Sequence, residues 1–348
     1  MRALLVLTLA GCLVASGAAV SATTSTKSRS QASATVAKAK SANRVQGTIP
    51  AGSARIQSRK FRGERPPLHP SEGQLAGLTH SGDPLQLKSH VALVVDQDTD
   101  EVLFEKNTHA VLPIASITKL MTALVTVEAD LPLDEELKVT PDELVRAGIR
   151  SNLRPGLTMS RGTALHLALM SSENRAAQLL GRTYPGGLQN FIEAMNAKAR
   201  MLGMSDSHFV DPTGLSAENR SSANDLVRLV KAAYEHEVIR EYSVSGELAL
   251  PVGKRTVRYA STNRLTSSPE WEIGLQKTGY ISAAGRCLVM QAVIEGRRVV
   301  MVLLDSVGKY SRIADAQRIR DFLESSTPLT AAPGKSAGSS LAGGAKPI

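Results

Sequence analysis

The chain has 348 residues, 41 of them Lys or Arg against 32 Asp or Glu, for a formal net charge of +9. That length holds one large domain or two, and with 42% hydrophobic but only 3% aromatic residues the core must be aliphatic. The seven histidines are scattered, with no His-Glu-x-x-His or Cys-x-x-Cys, so neither a metal site nor a cofactor is indicated.

Residues 3–20 follow Met1 and Arg2 as an apolar run short for a membrane span, and Val20-Ser21-Ala22 suits signal-peptidase cleavage after Ala22. Residues 1–22 are expected to be a signal peptide and the protein to be periplasmic. Leu9-Ala10-Gly11-Cys12 also resembles a lipoprotein box, but the chain stays apolar well past Cys12, so lipidation ranks second. Loss of Cys12 leaves Cys287 as the only cysteine of the mature chain, in an apolar strand pattern that fits burial better than reactivity. Residues 23–87 read as a basic low-complexity leader. Between Thr23 and Pro67, Lys27, Arg29, Lys38, Lys40, Arg44, Arg55, Arg59, Lys60, Arg62 and Arg65 face Glu64 alone. The net basicity therefore lies in the leader and the body is nearly neutral. Such a segment is drawn to polyanions, here envelope polymers or anionic lipid. Phe61 is the only aromatic residue among these charges, which with export argues against nucleic acid.

A domain is expected over residues 88–325. Apolar runs at Val91–Val95 and Val102–Phe104, split by an Asp-rich turn, predict a hairpin. After Pro113, residues Ile117, Leu120, Met121, Leu124 and Val125 recur at helical spacing and predict a helix with one buried stripe. Helical patterns follow over 162–180, over 186–203 with Gly203 as a C-terminal cap, and over 221–242 as a single helix capped by Ser222 or Asn224. Strands return at 272–280 and 286–306, the latter turning at Glu295-Gly296. An amphipathic helix over 310–325 precedes a Gly/Ala/Ser/Pro-rich tail, 326–348, that reads as disordered. Two strands open the domain and three close it. The simplest packing is one five-stranded antiparallel sheet built from both chain ends, flanked by the terminal helix and a helical insert, in an α/β (α+β) fold.

Ser116 falls in the first turn of the predicted helix and Lys119 one turn on, along the same face. A serine hydroxyl needs a base to take its proton, and a lysine kept neutral by burial can be that base. The helix N-terminus favours a developing oxyanion. Ser-x-x-Lys is a short pattern, however, and Ser306/Lys309 match it where Gly308 and a preceding apolar strand argue against a helix. Two further patterns follow in chain order, Ser172-Glu173-Asn174 and Lys277-Thr278-Gly279. Ser-x-Asn recurs at Ser41/Asn43, Ser222/Asn224 and Ser261/Asn263, where turn and cap chemistry explains it; Lys-Thr-Gly occurs once.

The ordered set of three resembles the serine β-lactamases and penicillin-binding proteins. HVALVVDQDTDEVLFEKN, PIASITKLMTALV, LALMSSENRAA, HFVDPTGLSAEN, STNRL and QKTGYISAAGRCLVM are similar to the low-molecular-mass penicillin-binding proteins. LMSSENRAA and KTGYISAAGRCLVM bring them closest to the D-alanyl-D-alanine endopeptidase, type-seven branch. The resemblance covers about residues 88–325 and leaves out the leader. It implies the β-lactamase/transpeptidase-like fold, with Ser116 as nucleophile and Lys119 as general base. It also implies that Ser172 relays the proton to the leaving amine and that Asn174 orients Lys119 and the acyl-side amide. Lys277 would hold the electrostatics of the cleft and help position Ser172. Thr278 would bind a substrate or penicillin carboxylate, and Gly279 would let substrate lie against the strand. The amides of Ser116 and Tyr280 would form the oxyanion hole.

The implied substrate is peptidoglycan, cut at D-alanyl cross-links, with β-lactams as slow inhibitors; no Glu-x-x-Leu-Asn stretch supplies the deacylating carboxylate of class A β-lactamases. A DD-carboxypeptidase is the alternative reaction. Many such relatives carry a C-terminal amphipathic anchor, and the tail here has no apolar face. The alternative of another class is a catalytically silent wall-binding protein. No Gly-x-Ser-x-Gly elbow or nucleotide loop offers a rival chemistry, and His166 and His208 read as structural.

Overall fold

The computed structural model describes residues 69–80, 82–144 and 150–326. The signal peptide, the leader up to residue 68 and the tail beyond Ser326 lie outside these described residues.

In chain order the elements are α1 (Glu72–Leu75), β1 (Ser89–Asp96), β2 (Val102–Lys106), β3 (Leu112–Pro113), a 3-10 turn at Ala115–Ile117 and α2 (Thr118–Glu128). Then come β4 (Glu136–Lys138), β5 (Thr158–Ser160), α3 (Arg161–Met170), α4 (Asn174–Arg182), α5 (Gly187–Met201), β6 (Arg220–Ser221), α6 (Ala223–Tyr234) and α7 (Glu237–Val244). The chain closes with β7 (Glu247–Val252), β8 (Arg255–Ala260), β9 (Glu272–Ile281), β10 (Gly285–Ile294), β11 (Arg297–Ser306) and α8 (Ser311–Ser326).

The main sheet has five strands in the order β2-β1-β11-β10-β9, with every neighbour antiparallel. Glu295 and Gly296 both take positive φ, 49° and 73°, which is what a two-residue hairpin turn between β10 and β11 requires. All eight residues of β1 are buried, because the sheet is covered on both faces. On one face Val91, Leu93, Val289, Val300, Val302 and Leu304 pack against the helical insert. On the other, Ala92, Val94, Leu288, Met290, Met301 and Leu303 pack against Ala316 and Ile319 of α8. Asp315 pins α8 to β1: its buried carboxylate accepts from the amides of Lys88 and Ser89 and from the Ser89 hydroxyl, at 2.7–3.0 Å.

Three expectations change. The stripe on α2 is too narrow, because Thr118 through Thr126 are all buried. Packed by α3, α4, α5 and α6, α2 has no solvent face, and its threonines are satisfied internally, Thr122 Oγ1 donating to Pro212 O at 2.7 Å and Thr126 Oγ1 to Thr122 O at 2.7 Å. The single helix over 221–242 is two. Ser222 caps α6, accepting from the Asp225 amide, and the chain breaks at Glu235-His236 so that α7 lies against β9 and α3. Tertiary packing overrides a continuous helical pattern there. The boundary at residue 88 falls too late. Ser71 Oγ donates to buried Asp305 at 2.8 Å, the Glu72 amide donates to Ala283 O at 2.9 Å, and Lys106 bonds Asp83 at 3.0 Å. These contacts are polar and distant in sequence, so no apolar period announces them. The β7–β8 hairpin was also unforeseen; its strands are half-exposed and turn at Gly253, φ +62°.

Candidate active site

Ser116 sits in the middle of the 3-10 turn leading into α2. Ala115 and Ile117 on either side are fully buried, while Ser116 keeps partial access. Ala115 is held at φ +49°, a conformation an alanine rarely adopts, so the surrounding structure must enforce it. Two glycines supply the room. A Cβ on Gly214 would lie 1.9 Å from Ala115 O and 2.9 Å from Ser116 N, and one on Gly279 would lie 3.0 Å from both Ile114 O and Ser116 N. Strand β9, one of the two edge strands of the sheet, thus runs directly against the Ser116 turn.

Lys119 is one helical turn on and completely buried. Its Nζ lies 2.9 Å from Ser116 Oγ, 2.7 Å from Asn174 Oδ1 and 2.5 Å from Thr213 O. Burial pushes its pKa down to about 7, against an opposing pull from the carboxylates of Asp211 and Glu173. A neutral amine has two N–H groups and one lone pair. Asn174 Oδ1 and Thr213 O can only accept, so they take the two N–H groups and the lone pair is left to Ser116 O–H.

The Ser172-Glu173-Asn174 segment forms the break between α3 and α4. Ser171 Oγ donates to Leu167 O at 2.8 Å and the Glu173 amide to the same carbonyl at 3.1 Å, which closes α3. Ser172 then turns at φ +60°, Glu173 caps α4 by accepting from the Arg175 amide, and Asn174 opens the helix facing Lys119. Among the described residues Ser172 Oγ makes no hydrogen bond, to Lys277 or to any other group. Lys277 is fully buried and donates to Thr278 O at 2.9 Å; burial, with Lys119 and Arg312 nearby, holds its pKa well below the ordinary lysine value. Thr278 Oγ1 pairs with Thr262 Oγ1 at 2.6 Å. Tyr280 is half-exposed, with the Arg286 guanidinium 4.5 Å over its ring. The structure therefore gathers Ser116, Lys119 and Asn174 by hydrogen bonds and brings Gly279 against them.

The competing pair does not come together in this way. Ser306 Oγ bonds Ser311 Oγ at 2.7 Å at the far end of β11, and Lys309 Nζ sits over the Tyr310 ring at 5.1 Å. Cys287 is buried and its thiol is pushed up to about 12 by burial. His166 stacks on Tyr242 with ring centroids 4.5 Å apart.

Sequence reasoning gave no individual role to several residues of the site. Asp211 organises the loop that carries Thr213: its carboxylate accepts from the amides of Thr213, Gly214 and Ser216 and from Thr213 Oγ1, at 2.6–3.0 Å. Asp-Pro-Thr-Gly is a turn signature, which was the available signal. Thr262 has no signal beyond its place in STNRL. Arg312, at the start of α8, has Nε and Nη1 buried with no hydrogen-bond partner among the described residues, and its charge is felt at Lys277.

The chain matches the family described as D-alanyl-D-alanine carboxypeptidase (peptidase S11) over residues 78–308. It is 46% identical over 258 residues to a D-alanyl-D-alanine endopeptidase of Pseudomonas aeruginosa, covering 73% of this chain and 83% of the relative. A D-alanyl-D-alanine endopeptidase of Escherichia coli is 44% identical over 255 residues, 72% of this chain and 81% of its own. Penicillin-binding protein D2 of Listeria monocytogenes, solved in its cefotaxime-bound form, superposes with a TM-score of 0.62 at 28% identity, over 69% of this chain and 98% of that one. With Ser116, Lys119 and Asn174 joined by hydrogen bonds and Gly279 against the Ser116 turn, the chain belongs to the D-alanyl-D-alanine carboxypeptidase family of serine peptidases.

Proposed function

We propose that this protein is a serine DD-endopeptidase that hydrolyses D-alanyl cross-links in peptidoglycan through an acyl-enzyme on Ser116, and that β-lactams acylate the same serine. The observation that carries the reading is the saturated amine of Lys119, with both N–H groups engaged and Ser116 Oγ 2.9 Å away. Ser116 Oγ attacks the D-alanyl carbonyl carbon while Lys119 Nζ takes the hydroxyl proton. The carbonyl oxygen becomes an oxyanion held by the amides of Ser116 and Tyr280. As the tetrahedral intermediate collapses, the bond to the cross-linking nitrogen breaks and the proton passes through Ser172 to the leaving amine. Thr278 receives a carboxylate of the substrate. Water then attacks the ester carbonyl while Lys119 takes its proton; the bond from the carbonyl carbon to Ser116 Oγ breaks, and Lys119 returns the proton to Ser116 Oγ, freeing the D-alanyl carboxylate and the hydroxyl. A positioned base of this kind contributes about 10²- to 10⁴-fold. The names of the relatives favour the endopeptidase over the carboxypeptidase.

Purified muropeptide dimers test the reading. Conversion to monomers that disappears in Ser116→Ala supports it. Release of free D-alanine from pentapeptides without dimer cleavage moves the function to DD-carboxypeptidase, and sacculus binding with neither product leaves a silent wall-binding protein.

Export completes the proposal. Residues 1–22 would direct the chain to the periplasm, and the ten basic residues of the leader between Thr23 and Pro67 would add salt-sensitive attachment to anionic envelope polymers. Deleting residues 23–67 should then lower sacculus co-sedimentation most at low salt; unchanged binding at low salt counts against it.

A further inference from the structure

Ala115 is held at φ +49° by two residues that take no part in the chemistry described above. Its carbonyl accepts from Thr118 Oγ1 at 2.8 Å. A threonine near a helix start commonly bonds a carbonyl three residues back. This hydroxyl has a second partner as well, from far along the chain: Asn219 Nδ2, 3.1 Å away. Thr118 and Asn219 are both fully buried. Ala115 O can only accept, so the hydroxyl hydrogen goes to it and a hydroxyl lone pair receives the Asn219 N–H.

Asn219 is fixed in turn by its own surroundings. Its Oδ1 accepts from the amides of Val210 and Asp211 at 2.7 and 3.2 Å, and its other N–H donates to Asp211 O at 2.8 Å. Turning the side-chain amide over would set N–H against N–H, so the network determines its orientation. The Asn219 backbone carbonyl accepts from the Ile114 amide at 3.1 Å. Asn219 therefore grips the turn on both sides of Ala115, directly at Ile114 and through Thr118 at Ala115 O.

Ala115 C=O and Ser116 N–H are the two ends of one peptide unit. That unit is planar and trans, so the carbonyl and the N–H point in opposite directions. Fixing one end fixes the aim of the other. We propose that Thr118, held by Asn219, is a positioning residue that aims the Ser116 amide at the oxyanion. The inference rests on the acylation of Ser116 in the reading above and not on which peptide is cut. The packing agrees with it: Gly214 closes on Ala115 O and Gly279 on Ser116 N, each too near for a Cβ to fit without displacement. A donor fixed in this way needs no reorganisation when charge develops on the carbonyl oxygen.

The test is penicillin acylation of the full chain carrying Thr118→Val, which is close in shape and lacks the hydroxyl. An oxyanion donor bonds the transition state more strongly than bound penicillin. The acylation rate constant should therefore fall at least about tenfold while the noncovalent dissociation constant stays within about twofold. Thr118→Ser keeps a hydroxyl and should recover most of the rate. The acid limb of the pH profile should stay in place in both variants, because Lys119 keeps Asn174 and Thr213 as partners. Asn219→Asp keeps the acceptor oxygens but, ionised, cannot donate to Thr118. It should slow acylation in the wild-type background and add little to Thr118→Val, since the two act on one peptide unit. Thermal melts are the folding control, with Thr118→Ala in place of Thr118→Val if the latter does not fold. A smaller loss, a loss that serine does not recover, a weakened dissociation constant in place of a slowed rate, or a moved acid limb each overturns the inference. Thr118-dependent acylation in a chain that cleaves no muropeptide dimer keeps it and discards the endopeptidase reading. A wild-type chain that penicillin leaves unacylated overturns both.

Discussion

The carbonyl oxygen of Thr213 lies 2.5 Å from Nζ of Lys119, and with Asn174 Oδ1 at 2.7 Å it occupies both N–H groups of the neutral amine. Ser116 Oγ is left opposite the lone pair. Burial lowers the Lys119 pKa to about 7, so the base form is depleted on the acid side of that value. Penicillin acylation should fall about tenfold per pH unit below 7 and level off above it. Lys119→Arg, permanently charged, should fold yet lose at least about a hundredfold in acylation. Stopped-flow rates across pH, with circular dichroism as a folding control, check both. A folded Lys119→Arg protein within about tenfold of wild type removes Lys119 from the base role.

Glu173 should set where that acid limb lies. Its carboxylate opposes the effect of burial on Lys119, holding the lysine pKa higher than burial alone would. Glu173→Gln removes the charge but keeps an oxygen that can accept from the Arg175 amide and cap α4. The acid limb of the acylation profile should therefore move to lower pH with thermal stability nearly unchanged. A limb that stays in place, or moves up, shows that the charge of Glu173 does not reach the amine.

How much of this was legible in sequence depends on how local the signal is. The Ser116–Lys119 pair, the β10–β11 turn at Glu295-Gly296 and the core strands carry their own periodicity or spacing, and the structure has them where the pattern places them. The third partner of Lys119 is a backbone carbonyl at residue 213, and a carbonyl has no residue-type signature. The burial of α2 on every side follows from four other helices, none of which is visible in its own sequence. The break between α6 and α7 exists because α7 packs on β9, again a fact about distant residues.

Gly214 illustrates the same limit and gives a sharp test. An added Cβ would lie 1.9 Å from Ala115 O, and that neighbour is backbone, which cannot swing aside. The residue also holds φ +77°. Gly203 is the matched control, at φ +70° with nothing within 4 Å of its added Cβ. Gly203→Ala should cost about 1–2 kcal/mol of stability, from backbone conformation alone, with acylation unchanged. Gly214→Ala should cost more and also slow acylation at least about tenfold, since the displaced atoms are those preceding Ser116. Thermal melts and acylation rates of the two variants separate the effects; equal losses in both would mean that the Ser116 turn yields without consequence.

The last prediction concerns where the folded domain begins. The sequence boundary at residue 88 and a start at His69 differ by a segment that makes three kinds of contact. Asp83 pairs with Lys106, both side chains nearly buried, and Ser71 donates to Asp305, a carboxylate that also bonds His90 Nδ1 at 2.8 Å. Glu72 bridges the β9–β10 turn, through Ala283 O, to Arg220 at 2.6 Å, and Arg220 in turn donates to Val111 O beside β3. Removing the segment leaves Lys106 and Asp305 buried without those partners. Breaking a buried pair by taking one side away costs about 3–5 kcal/mol. A chain beginning at Lys88 should therefore be less stable in denaturant melts than one beginning at His69 by at least about 3 kcal/mol. It should also acylate more slowly, because the lost contacts brace the turn at the end of β9 and the strand before Ser116. Equal midpoints for the two truncated chains would show that the segment merely lies on the domain.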